Sequence, residues 1–206
     1  MSQIKYTDME NKIFTVGHSN HPVEHFFSLL RGNGITAVVD VRSQPYSRMN
    51  PQFNSQPLET RLYEQRIGYV FLGKELGARS EDPTCYVDNR VRYDLIARSD
   101  LFQEGIARLL EGMSKYRVTI MCAEKDPTQC HRMILISRHL ASIGMHIEHV
   151  LSDGKLESHE NAVRRLMETL KIQESDLFLS HDELVNKTYA MQEERIAYES
   201  RVAEQA

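Results

Sequence analysis

Short apolar runs alternate along the chain with segments whose apolar residues recur every three or four positions. Ile13–Val16, Thr36–Val41, Tyr69–Leu72, Arg117–Met121 and His146–Leu151 read as buried strands, the second of them continuously apolar and β-branched. Strands of that kind are covered on both faces, as in a parallel sheet. Between them, Val23–Arg31 presents Phe26, Phe27, Leu29 and Leu30 on one helical face, with Pro22 before it and Gly32 and Gly34 after it. Leu58–Gln65, Phe102–Lys115 and the strongly apolar Cys130–Ile143 read as further helices, the last closed by Gly144. Alternating strands and helices predict an α/β fold, a Rossmann-like three-layer sandwich with a mainly parallel sheet. The expected organisation is an N-terminal tail (1–12), an α/β domain (13–155) and a helical, acidic C-terminal extension (156–206). Residues 73–98 read as irregular, a stretch long enough to carry function.

Composition narrows the class. Of the 206 residues 41% are hydrophobic, enough for a real core, and no apolar run approaches the roughly 18 residues of a membrane span. No signal peptide is read at the N-terminus, so a cytoplasmic protein with no membrane contact is expected. Three cysteines, Cys85, Cys122 and Cys130, are too few and odd in number for a disulfide scaffold. The net charge of −4 is unevenly placed: residues 1–150 hold 18 basic against 17 acidic residues, and residues 151–206 hold 7 against 12. The first three-quarters is thus free to form a local positive pocket. The acidic end contains a capping box at Ser180–Glu183 and then a long polar helix. Its few apolar residues predict a solvated helix, with a homodimer or protein-partner contact as the alternative.

In open parallel sheets, ligands bind beyond the carboxyl ends of the strands. Those ends are loaded here. The first strand leads into His18 and Ser19, the second into Asp40, Arg42, Tyr46, Ser47 and Arg48, the fourth into Cys122 and Glu124, and the last into Asp153 and Gly154. In CAEKDPTQCHR (122–132), Asp126 and Pro127 predict a helix start that places Cys130, His131 and Arg132 in its first turns. Free N–H groups there, with Arg132, Arg42 or Arg48, predict an anion-binding rim. Zinc ligation by Cys122, Cys130 and His131, with His18 or His149, is disfavoured because Cys130 and His131 are adjacent, so no metal is expected. No P-loop or dinucleotide motif is present, and no cofactor is expected. Asp40 and Arg42, two apart on a strand, equally suit a structural ion pair. Cys122 and Cys130 equally suit buried packing.

These motifs occur together and in order: TVGHS (15–19), DVRSQPYSR (40–48) with Phe53, IGYVFLGKELG (67–77), MCAEKDPTQCHR (121–132) and HVLSDG (149–154). In this the chain resembles the domain-of-unknown-function family DUF488, over about residues 13–155. The resemblance implies a compact α/β domain of bacteria and archaea and brings no settled reaction. It carries over the positions His18, Ser19, Asp40, Arg42, Pro45, Ser47, Arg48, Cys122, Glu124, Cys130, His131 and Arg132; Ala78 stands where the family often has glycine. A weaker similarity to rhodanese-like domains lies in Asp40-Val41-Arg42 followed by a Cys loop. That loop is longer, lacks the rhodanese glycine and carries Glu124 and Asp126, which oppose a thiolate.

Three functions follow as expectations. The first is an enzyme on a phosphate-bearing nucleotide or nucleic-acid substrate. It would cleave a glycosidic bond with Asp40 and Glu124 as catalytic carboxylates, beside Cys122 and His131. His18, Ser19, Arg42, Ser47, Arg48, Cys130 and Arg132 would bind the anion, and Tyr46, Phe53 and Tyr69 would stack on a base. The second is Cys122 thiolate chemistry, rhodanese-like or phosphatase-like. The third is a non-enzymatic module binding an anion or nucleic acid.

Overall fold

The computed structural model describes residues 11–200. In chain order its elements are β1 (Lys12–Gly17), α1 (Val23–Gly32), β2 (Ala37–Asp40), α2 (Ser55–Glu64), β3 (Gly68–Phe71), β4 (Tyr86–Val87), β5 (Arg90–Val91), α3 (Tyr93–Arg98), α4 (Asp100–Met113), β6 (Val118–Cys122), α5 (Arg138–Ser142), β7 (His146–Val150), β8 (Leu156–Ser158), α6 (His159–Thr169) and α7 (His181–Ile196). Most of the tail read over residues 1–12 lies outside the described residues; Lys12 opens β1.

Six strands form one sheet in the order β3-β2-β6-β1-β7-β8. The first five are parallel and β8 closes one edge antiparallel to β7. This is the expected mainly parallel, three-layer α/β architecture. The period-2 alternation of each strand splits the core. Ile13, Val39 and Ile120 face one layer with Phe102, Ile134 and Leu166. Phe14, Val38 and Met121 face the other, with Phe26, Phe27, Leu58 and Leu62 of α1 and α2. Burial on both faces explains the continuous apolar runs. Pairing of Gly17 with Cys122, and of Asp40 with Met121 and Phe71, aligns four strand ends, those of β1, β2, β3 and β6, on one rim. No helix among the described residues is long and apolar enough to cross a membrane.

Three local expectations differ from the structure. Residues 73–98 hold a 3₁₀ turn (Pro83–Cys85), the small β4–β5 hairpin and α3, ordered by burial of Leu76, Cys85, Val91, Tyr93 and Ile96. The helix read over Cys130–Ile143 is three pieces: a 3₁₀ turn (Pro127–Gln129), an extended Cys130, and a helix that is π over Arg132–Ser137 before tightening into α5. Asp126 caps the 3₁₀ turn, accepting the Thr128 N–H at 2.9 Å, so its helix-start signal acts one turn early. In the π stretch, the Ser137 hydroxyl donates to the Arg132 carbonyl at 2.8 Å. Such widened turns concentrate at functional sites.

The third difference is α7. It has the expected capping box at Ser180 and Glu183. It is not solvated all round, however, because Leu184, Thr188, Tyr189, Gln192 and Glu193 are buried. Polar residues fill this face because each finds a partner: Gln192 donates to the Thr128 carbonyl at 2.8 Å, and Glu193 accepts the Tyr93 N–H at 2.9 Å. Leu184→Ala is expected to lower unfolding free energy in urea by about 2–5 kcal/mol, the cost of a core cavity; a solvated helix would tolerate the change within about 0.5 kcal/mol.

Candidate functional site

The rim of β1, β2 and β6 opens into a cavity of about 320 Å³. Arg42, Ser43, Gln44, Tyr46, Ala78 and Arg79 form one side, and Cys122, Glu124, Cys130 and His131 form another, with Tyr93 and Tyr198. Gly17 explains how the 122–132 loop reaches this position. A Cβ at residue 17 would lie 1.9 Å from the Glu124 carbonyl oxygen. Only glycine lets the loop run directly over the end of β1. The His18 and Ser19 N–H groups then donate to the Cys122 and Ala123 carbonyls at 2.9 and 2.8 Å.

The β2 end forms a closed network. Asp40 is fully buried and Arg42 nearly so. The Arg42 guanidinium grips both Asp40 oxygens, Nε to Oδ1 at 2.9 Å and Nη2 to Oδ2 at 2.6 Å, and also donates to the Phe53 carbonyl at 2.8 Å. Tyr69 donates to Asp40 Oδ2 at 2.8 Å. Arg42 Nη1 meets His18 Nε2 at 3.0 Å; since arginine only donates, His18 is the acceptor there and donates from Nδ1 to the Ser19 carbonyl at 2.8 Å. Burial and the Arg42 charge push the His18 imidazole down to about 4, so it is neutral. Its ring stacks on Phe53, centroids 4.4 Å apart. Asp40 thus holds a structural ion pair and offers no free lone pair to a sugar ring. Tyr69, proposed to stack on a base, is an Asp40 partner, and Phe53 is core.

At the end of β6 four reactive side chains converge. The Cys122 and Cys130 thiols lie 3.1 and 3.0 Å from the same oxygen, Glu124 Oε2. His131 Nδ1 lies 3.6 Å from Cys122 Sγ and 3.9 Å from Cys130 Sγ. His131 Nε2 donates to the Val41 carbonyl at 3.1 Å, so in the neutral ring Nδ1 is the lone-pair nitrogen facing the sulfurs. Adjacency does not separate Cys130 from His131, because Cys130 is extended (φ −139°, ψ 141°) and His131 is already helical (φ −58°, ψ −24°). The bend between the two conformations turns both side chains to one point. The ligand atoms of Cys122, Cys130 and His131 all lie within 4.8 Å of one another, so the three residues could hold a metal ion.

The two thiols are inequivalent. The hydrogen bond with Cys130, and then burial, push the Cys122 thiol up. Burial would push Cys130 up too, but the bond with Cys122, the Arg132 charge and His131 outweigh it and hold Cys130 low. Cys130 in turn outweighs burial at His131 and raises its imidazole. Desolvation raises the Glu124 carboxyl, whose residue is otherwise open to the pocket.

Several candidate residues stand elsewhere. Arg132 is fully buried, and its guanidinium donates to the Glu124 and Lys125 carbonyls at 2.7 and 3.2 Å. It braces the loop from beneath and presents no fork to a ligand. Ser47 accepts the Met49 and Asn50 N–H groups within its own turn, and Ser19 faces Asn20. Arg48 is exposed and outside the pocket lining. Tyr46 lines the pocket and is 68% exposed.

The pocket also uses residues that sequence reading passed over. Arg79 lines it, with its guanidinium 4.6 Å from the Tyr198 ring. Arg165 of α6 grips Asp126 with two bonds of 2.9 and 3.0 Å, and Glu157 with two more, fixing the Cys loop from the far side. No short motif marks these residues, since the loop residue that Arg165 grips, Asp126, is 39 positions away.

The model of a family described as "Domain of unknown function DUF488" matches residues 22–139, more than half of the chain. No curated protein and no solved structure matches it.

Proposed function

For this chain, which belongs to the DUF488 family, we propose a thiol-dependent enzyme acting on a small phosphate-bearing, nucleotide-like substrate. The observation that carries the reading is the convergence of Cys122, Cys130, His131 and Glu124 on one wall of the polar rim pocket. Thiol, imidazole and carboxyl groups in mutual contact are the parts of nucleophilic and general acid–base catalysis. Arg79 supplies a cation for phosphate, and exposed Tyr46 supplies a ring face for a base or sugar. The chemistry is assigned to the sulfur cluster and not to an Asp40–Glu124 pair, because Asp40 is saturated by Arg42 and Tyr69.

The test is turnover of a panel of nucleosides, nucleotides and short oligonucleotides by the reduced chain. Cys130→Ala and His131→Ala are expected to lower the rate at least about 100-fold, the lower end of what acid–base or nucleophilic groups contribute. Cys85→Ala removes a thiol buried in the core away from the pocket and is expected to leave it unchanged. Equal turnover by Cys130→Ala and wild type rejects the assignment.

A further inference from the structure

We propose that Cys122, Cys130 and His131 bind one divalent ion of the zinc type, with Glu124 beside the remaining position on the pocket side. The proposal deepens the thiol-dependent reading above and rests on the same cluster.

The two sulfur-to-nitrogen distances suit a tetrahedral shell. Zinc–sulfur bonds of about 2.3 Å and zinc–nitrogen bonds of about 2.0–2.1 Å set the sulfur-to-nitrogen edges at about 3.6 Å. Cys122 Sγ and Cys130 Sγ stand 3.6 and 3.9 Å from His131 Nδ1. A nucleophilic mechanism needs one thiol at its base, whereas here both thiols face the same imidazole lone pair and the same carboxyl oxygen.

The surroundings are those of a ligand shell as well. Metal-bound imidazoles donate their other N–H to a carboxylate or backbone carbonyl, which fixes ring and tautomer. His131 does so to Val41. The Arg132 N–H approaches Cys130 Sγ at 3.4 Å, a bond that supports a thiolate.

Charge gives an independent argument. Arg132 is fully buried, its Nε has no partner among the described residues, and its other guanidinium nitrogens bond carbonyls. A buried guanidinium without a counter-charge is costly. Two thiolates, one carboxylate and a divalent cation together carry one negative charge, which balances it. Soft sulfur ligands with imidazole select zinc-type ions over magnesium or calcium. Three protein ligands with one position open to a pocket is the arrangement of a catalytic site and not a closed structural one.

The experiment is a cobalt(II) titration of the full chain, reduced with a non-chelating phosphine and stripped of metal, followed by zinc displacement. The expected result is uptake of one equivalent, sulfur-to-cobalt charge-transfer absorption in the near ultraviolet, and loss of both on adding zinc. Cys122→Ser and Cys130→Ser are expected to weaken binding by more than the ~10–100-fold that loss of an outer partner costs. Glu124→Gln is expected to retain the sulfur band, and Cys85→Ala to titrate like wild type. A wild-type chain without the charge-transfer band, or a band of equal strength in Cys130→Ser, overturns the proposal. Absence of the band in wild type is decisive without any variant, so a variant that fails to fold does not obscure the test. Turnover lost in Cys130→Ala from a chain that takes up no cobalt overturns the metal and leaves the thiol enzyme. Stoichiometric cobalt in a chain that turns over none of the panel overturns the enzyme and leaves the metal.

Discussion

Asp40→Ala is expected to cost about 3–5 kcal/mol of folding free energy, as removal of one partner of a buried ion pair does. The carboxylate is fully buried and receives three side-chain donors, two from Arg42 and one from Tyr69. Its loss leaves a guanidinium facing an emptied site and the neutral acceptor nitrogen of His18. Urea unfolding of Asp40→Ala, Arg42→Met and the double variant measures the coupling. Because both charges are removed together, the double variant is expected to be more stable than Asp40→Ala alone. A loss of less than about 1 kcal/mol in Asp40→Ala, the size of an exposed pair, contradicts the network. The same cycle separates structure from catalysis: a general acid at this position would lower turnover without lowering stability.

The contribution of His159 to stability is expected to fall by about 3 kcal/mol between about pH 6.5 and pH 4. Thr15, His149, His159 and Tyr189 form one chain of hydrogen bonds, of 2.7, 3.2 and 2.8 Å, through the layer between β1, β7, α6 and α7. With each ring carrying a single proton, all three bonds are made in either direction. Only a second proton on both rings sets two N–H groups against each other across the 3.2 Å contact, but even one extra proton places a charge in the buried layer. Burial therefore pushes His159 down to about 4 and His149 well below its ordinary value, the latter also through the His159, Arg132 and Arg165 charges. As pH falls through the unfolded value near 6.5, the unfolded chain takes up protons that the folded chain refuses, so stability declines until the folded values are reached. Denaturant midpoints from pH 7.5 to 4.5 measure this. The stability advantage of wild type over His159→Gln is expected to shrink as pH falls; an advantage constant with pH contradicts a neutral, buried His159.

The clearest difference between sequence and structure lies in the loop 122–132. Its reactive residues were visible as a dense motif, and the strand before it as an apolar run. Which of them meet was not visible. Cys130 and His131 are neighbours that a regular helix or strand would turn apart, and the bend joining them comes from a 3₁₀ turn meeting a π stretch. Arg132 read as an anion-binding fork because a charged side chain near a helix start usually faces solvent. Here the loop crosses above Gly17, and Arg132 lies beneath it, holding its carbonyls. The polar face of α7 read as solvated for a related reason: hydropathy counts apolar residues, and Gln192 and Glu193 are buried by bonds to Thr128 and Tyr93, more than sixty positions away.

By itself the sequence determined the fold class, the five parallel strands in chain order, the rim at the strand ends and the family, because each follows from local periodicity, strand-end chemistry or an ordered set of motifs. Tertiary structure alone decided that Asp40 is buried against Arg42 and Tyr69, that Cys122, Cys130, His131 and Glu124 form one cluster, that Arg79 lines the pocket, and that Arg165 and Gln192 bond the loop beside it. These are contacts between distant segments. Parallel strands joined by crossovers bring such segments together through sheet register and helix packing, which no local pattern in the chain encodes.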